Sequence, residues 1–152
     1  MTHDSDVSEM HKEVSRLLSE MGDFSLDKDG LCSLKIDGHV SITLESPRDT
    51  PYFMLHSSVA VITPSSKSDV FERALSINFD RYSDIGLRLT FKKDTGDIVL
   101  LFTSDHAAYD LTDFSQAIVL FGQKAKETHE VLLSEPSEGK LQIFSDEHLI
   151  RI

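Results

Sequence analysis

Near the start of the chain, Val7, Met10, Val14, Leu17, Leu18 and Met21 recur at steps of three and four, the stripe of an amphipathic helix. Asp6 can cap it, Glu9 completes a capping box, and Gly22 can stop it, so the spacing predicts a helix over about 7–21. Period-two alternation then takes over. Residues 31–36 and 39–45 read as strands joined at Asp37-Gly38, a strong hairpin signal. Parity constrains that turn. A two-residue loop would set Ile36 opposite His39 and Leu34 opposite Ser41, mixing apolar and polar positions on one face. A three-residue loop of Ile36, Asp37 and Gly38, with Gly38 at positive φ, instead places Cys32 and Leu34 beside Val40 and Ile42.

Pro47 and Pro51 bracket a polar turn, residues 52–62 read as a long third strand, and Pro64-Ser65-Ser66 ends it. Asp69, with Glu72 as its box partner, predicts a second helix running to about Phe79. Its apolar residues Val70, Phe71, Ala74, Leu75, Ile77 and Phe79 spread beyond one stripe. One face can pack on a sheet, and the remainder requires a second cover. Residues 87–92 alternate cleanly, with Leu87, Leu89 and Phe91 against Arg88, Thr90 and Lys92. Asp94-Thr95-Gly96-Asp97 turns into a fifth strand, 98–103, which is apolar on both faces and therefore expected to be buried on both. Thr112 is placed to cap a third helix with the stripe Phe114, Ile118, Phe121, Ala125 and Leu132.

The sum is an α+β fold, α-β-β-β-α-β-β-α, a twisted antiparallel sheet flanked by three helices over residues 1–133. Residues 134–152, a polar linker and an apolar-containing stretch from 141, form a C-terminal tail that is either flexible or docks. The surplus apolar surface of the second helix and fifth strand points to a homodimer, whose C2 interface would use one patch twice.

Charge narrows the partners. Twenty-six acidic against 15 basic residues give a formal net charge of −11, which repels nucleic acid and anionic membranes, and the densest basic pair is Lys92-Lys93. No apolar run approaches the roughly 20 residues that span a bilayer. The acidic start of the chain is unlike a signal peptide, and the lone Cys32 forms no internal disulfide framework. A cytoplasmic location is expected, with no nucleic acid and no membrane insertion.

Catalytic chemistry finds no foothold. No G-x-S-x-G occurs, and Asp105-His106 at the end of the fifth strand, the best acid–base pair, reads as an ordinary loop. A small hydrolase is thus a remote alternative. Asp27-x-Asp29-Gly30 resembles the opening of a calcium loop, but position 12 would be Gly38, so a turn is expected. Cys32 lacks partner ligands for zinc and reads as a core residue. No enzyme, metal or cofactor is expected.

Three stretches carry a resemblance: residues 17–22 (LLSEMG), residues 29–38 (DGLCSLKIDG), and residues 74–78 (ALSIN). In the same element order, about residues 7–133 resemble the class I type III secretion chaperones, the Tir-chaperone or CesT-like group. The resemblance implies a small acidic cytosolic homodimer that binds the N-terminal segment of one or more effectors in extended form, without ATP. It implies a dimer interface at Phe71, Leu75, Ile77, Phe79, Leu87, Leu89 and Phe91. Effector grooves are implied on the first helix and first strands, at Leu17, Met21, Phe24, Leu26, Leu34, Val40, Ile42 and Met54. The secretion-apparatus ATPase is a further partner it allows. An adaptor of the same fold that binds a folded part of the secretion machinery, through residues 141–152, is the alternative.

Overall fold

The computed structural model describes residues 7–36, 40–65, 67–82, 86–105 and 109–133. Along them run α1 (Glu9–Met21), β1 (Leu31–Ile36), β2 (Val40–Glu45), β3 (Phe53–Val61) and α2 (Lys67–Ile77). A π-helical stretch, Asn78–Tyr82, prolongs α2 before β4 (Leu87–Lys92), β5 (Asp97–Ser104) and α3 (Leu111–Leu133). The strands form one antiparallel sheet in the order β1-β2-β3-β5-β4. This is the element order that the apolar pattern predicts.

The core lies on one side of that sheet. Register aligns Leu34 with Ile42, Leu44 with Leu55, Leu55 with Phe102, and Leu89 with Leu100. Paired residues share a face, and nearly all of these are buried. Against this face α3 packs on β2 and β3, α1 on α3 and β3, and α2 on α3 and β4. Phe53 sits among Phe102, Tyr109 and Phe114, with ring centroids 6.4, 5.7 and 5.8 Å away, and so anchors the start of α3. Offset and edge-on rings of this kind add stabilisation beyond their buried area.

Helix punctuation differs from expectation in three places. The cap of α1 is Ser8, whose hydroxyl accepts from the His11 main chain at 3.0 Å, and Asp6 lies outside the described residues. Ser8 wins because its own N–H donates to the Arg48 carbonyl at 2.6 Å, while His11 Nδ1 donates to the Ser46 carbonyl at 2.7 Å. That stitching fixes the helix start to the β2–β3 connection. Asp69 is the third residue of α2, not its cap, and its charge faces the positive end of the helix dipole. For α3 the cap is Asp110, whose carboxylate accepts from the Asp113 N–H at 2.7 Å, two residues ahead of the expected Thr112. Carboxylates cap at least as well as threonine hydroxyls.

The β1–β2 hairpin has the expected odd parity but a different register. Ile36 pairs with Val40 and Leu34 with Ile42, leaving residues 37–39 between the strands rather than 36–38. Gly38, the expected positive-φ residue, lies outside the described residues. The shift lengthens the ladder by one pair and keeps Cys32 and Leu34 on the core face. A second expectation fails at β5. Ile98 and Leu100 are buried, but Val99, Leu101 and Thr103 on the opposite face are only half-covered, because all three helices lie on the other side.

The approach to β1 depends on a glycine. Gly30 has φ +80°, and a Cβ there would collide with the Ser46 carbonyl oxygen, to whose residue Gly30 is already hydrogen-bonded. Left-handed backbone and main-chain collision both penalise a side chain. Gly30→Ala should therefore cost about 1–3 kcal/mol of unfolding free energy, read as a lower urea midpoint. An unchanged midpoint would mean that the turn relaxes freely.

Candidate functional site

An open antiparallel sheet has two edges, and here they are finished differently. In β1 the Leu31 N–H donates to Asp27 Oδ1 at 2.9 Å, and the Leu31 carbonyl accepts from the Asp27 N–H at 2.8 Å. Both groups of Leu31 therefore point away from β2. Main-chain groups alternate in direction along an antiparallel strand, so Ser33 and Lys35 also turn theirs outward. Both residues are exposed, and among the described residues these outward groups meet only the weak 4.0 Å approach of the Cys32 thiol to the Ser33 carbonyl. At β4 the Asn78 side chain takes the place of a strand: Oδ1 accepts from the Leu89 N–H at 2.5 Å and Nδ2 donates to the Leu89 carbonyl at 2.9 Å.

Asp27 Oδ1 also accepts from the Asp29 N–H at 2.8 Å, so the acidic pair with Gly30 is a turn, as the spacing indicates. Among the described residues no cluster of three or more His, Cys, Asp or Glu side chains is placed to hold a metal ion. Asp105 is exposed, and His106 lies outside the described residues.

The residues implied for the effector groove fall into separate groups. Leu17, Leu34 and Ile42 are buried core residues. Phe24 is exposed at 38%, and Met21 and Leu26 are half-buried beside it, between α1 and β1. Val40 is half-buried at the far end of the hairpin, where it lines a cleft of about 500 Å³ with Ser41, Ser57, Ser58, Ala125 and His129. Met54 lies on the uncovered sheet face between Glu45 and Thr103.

The residues implied for the dimer interface divide in the same way. Ile77, Leu87 and Leu89 are buried, whereas Leu75, Phe79 and Phe91 are exposed at 69%, 83% and 43%. Phe71 is half-buried and meets Phe91 edge-on at 4.9 Å. Phe71, Leu75 and Phe79 follow at four-residue steps, so they share one flank of α2 and its extension. Sequence reasoning passed over Val119 and Leu120, exposed at 42% and 59% on α3. Their signal was the unbroken apolar run from Ala117 to Phe121, wider than the core stripe needs. The tail, residues 134–152, lies outside the described residues.

Comparison with known proteins places this geometry. Residues 12–129 match the model of the Tir chaperone protein (CesT) family, most of the chain, and the chain belongs to that family. No curated protein sequence matches it. Its fold is similar to that in the crystal structure of the ExsC-ExsE complex, at 21% identity over 87% of this chain and 97% of that one, with a TM-score of 0.64. The HopA1-SchA chaperone-effector complex is similar at 15% identity over 82% and 98%, with a TM-score of 0.60. The heterodimeric ExoU-SpcU complex from the type III secretion system of Pseudomonas aeruginosa is similar at 16% identity over 79% and 94%, with a TM-score of 0.56. At these identities the likeness concerns the fold. Among the described residues no helix is long and apolar enough to cross a membrane.

Cys32 reports on the wall beneath Phe24 and Leu26. Burial pushes its thiol up, the Asp27 charge adds to this, and a hydrogen bond with the Ser25 main chain opposes it. Little thiolate is then present at neutral pH. Iodoacetamide should modify Cys32 far more slowly in the native protein than in urea, and equal rates would show that this wall opens readily.

Proposed function

We propose that this CesT-family chain is a cytoplasmic secretion chaperone that acts as a homodimer and binds the N-terminal segment of one or more effectors in extended form. The observation that carries the reading is the β1 edge at Ser33 and Lys35, unpaired among the described residues and flanked by the partly exposed Met21, Phe24 and Leu26. A client strand added there gains main-chain hydrogen bonds that are indifferent to its side chains, while alternate residues reach the apolar surface beside α1. Membership of the family and the fold shared with a chaperone-effector complex support this. Nothing in the mechanism requires a cofactor or a catalytic group. Effector binding by β-addition keeps the client unfolded, the state an export channel can accept.

Self-pairing is assigned to the exposed Leu75, Phe79 and Phe91 and the half-buried Phe71, the outer part of the interface that the family resemblance implies. Burying them against the same patch of a second copy removes large apolar side chains from water at roughly 25 cal/mol per Å². The buried Ile77, Leu87 and Leu89 would support the patch from below. In the same way Leu17, Leu34 and Ile42 form the floor of the client surface, not its contact layer.

Capture of bound proteins from the native cytosol, followed by deletion of the captured protein's N-terminal segment, tests the reading directly. Binding that survives the deletion overturns it. Replacing Ser33 or Lys35 by proline removes an outward N–H, which an edge strand tolerates. Either variant should stay folded and bind the client about tenfold more weakly or worse, and unchanged affinity moves the client away from β1. Leu75→Asp should leave the folding stability of the single chain within about 0.5 kcal/mol, as for other exposed positions. The same change should abolish self-association in sedimentation velocity. Persistence of the parental species would place the interface elsewhere.

A further inference from the structure

We infer that Asn78 is the residue that selects the docking edge: by occupying the main-chain groups of Leu89 it denies β4 to an incoming strand and leaves β1 as the acceptor. The inference rests on the strand-addition reading above and extends it to the choice of edge and register.

Strand addition needs consecutive outward-facing residues. Leu89 turns its N–H and C=O toward Asn78 and away from β5, so by alternation Leu87 and Phe91 are the other outward positions of β4. The middle one of these three is taken. A client strand approaching β4 would have to displace the Asn78 amide or leave a gap at the centre of its ladder. On β1 a similar side-chain device is used at a different point. Asp27 takes both groups of Leu31, the first residue of the strand, so the open positions Ser33 and Lys35 remain consecutive. One side chain interrupts an edge; the other marks where an edge begins and sets the first residue a client can pair with.

The residue types fit these tasks. At Leu31 the Asp27 carboxylate need only accept, because the Asp27 main-chain N–H supplies the donor to the Leu31 carbonyl. At Leu89 a single side chain must accept and donate at once, which an amide does with two separate atoms. Aspartate at 78 would keep the acceptor and lose the donor. Alanine would lose both.

The test takes as parent the full-length protein carrying Leu75→Asp, so that the flank assigned to self-pairing is open, labelled with nitrogen-15, with an acetylated, amidated Thr-Val-Thr-Val-Thr-Val peptide as a sequence-neutral strand. In the parent protein, titration should shift the Ser33 and Lys35 amides and leave Leu87, Leu89 and Phe91 in place. In Asn78→Ala the same peptide should also shift the Leu87, Leu89 and Phe91 amides. Asn78→Asp, which keeps the side-chain shape, should show the same added shifts more weakly, and it carries the test alone should the alanine variant fail to fold. Peptide-induced shifts on β4 in the parent, or no added shifts in the folded variants, overturn the role of Asn78. Absence of shifts at Ser33 and Lys35 in the parent, with β4 shifts gained in the variants, leaves Asn78 its role and removes the β1 reading.

Discussion

A sheet that does not close leaves two rows of main-chain donors and acceptors with no strand to receive them, and much of this molecule's organisation follows from how those rows are finished. All three helices lie against one face and the π-helical stretch Asn78–Tyr82 comes against β4, so neither edge carries a full layer of helix in the manner of an α/β sandwich. The chain relies instead on individual side chains, Asp27 at one edge and Asn78 at the other. Natural sheets manage exposed edges because they template pairing with other chains. Here the management is uneven, and the edge proposed for the client is the one left more open.

The same one-sided cover explains the apolar surplus. β5 alternates apolar residues on both faces as though it were sandwiched, yet Val99 and Leu101 remain half-exposed. α2 carries Val70, Ala74 and Ile77 into the core and leaves Leu75 and Phe79 outside. A helix that packs on one sheet needs a single stripe, so the second set of residues is not required by the fold of one copy. The wider π-helical winding at Asn78–Tyr82 follows α2 directly and carries the last of that surplus, Phe79. Such irregular turns interrupt the regular ladder and are frequent at functional positions. In this chain the irregularity coincides with the residue whose side chain pairs with β4.

Much of this was legible in the sequence because hydrophobic period reports burial directly. The alternation of residues 87–92 matches the observed β4, and the stripe of Met10, Val14, Leu17 and Leu18 is the buried face of α1. What pattern could not supply was anything decided by competition between equivalent groups. Ser8 displaced Asp6 as a cap because a tertiary hydrogen bond from its own N–H to Arg48 holds it, and Asp110 displaced Thr112 by a local carboxylate cap, both choices among residues with similar capping ability. The hairpin parity followed from which faces must be apolar, but its register moved by two residues, Val40 pairing with Ile36 instead of Leu34, and an even shift leaves that parity unchanged. Leu17, Leu34 and Ile42 illustrate a further limit. An apolar residue on a binding element and an apolar residue beneath it look alike until depth is known. The Asn78–Leu89 pairing had no local signal at all, because its partners lie 11 residues apart in the chain and meet only when α2 and β4 pack.

Affinity and selectivity are then divided between two kinds of contact. Holding a client segment extended costs roughly 1–2 kcal/mol of backbone entropy per residue, and a single main-chain hydrogen bond returns only about 1 kcal/mol net. Edge pairing alone therefore cannot hold a client. It must be accompanied by apolar anchoring close enough for the same few residues to make both contacts. β1 meets that condition: its open positions Ser33 and Lys35 lie next in register to Leu31, whose capping residue Asp27 follows directly on Phe24 and Leu26. β4 also has aromatic residues at hand, Phe91 and Phe79, and would meet the condition equally well if its edge were free. Without Asn78 the chaperone would offer two acceptable docking sites, one of them on the surface assigned to its own partner. In the proposed reading, closing β4 with a side chain of the π-helical stretch packed against it separates client binding from self-pairing while both use apolar surface on the same small sheet.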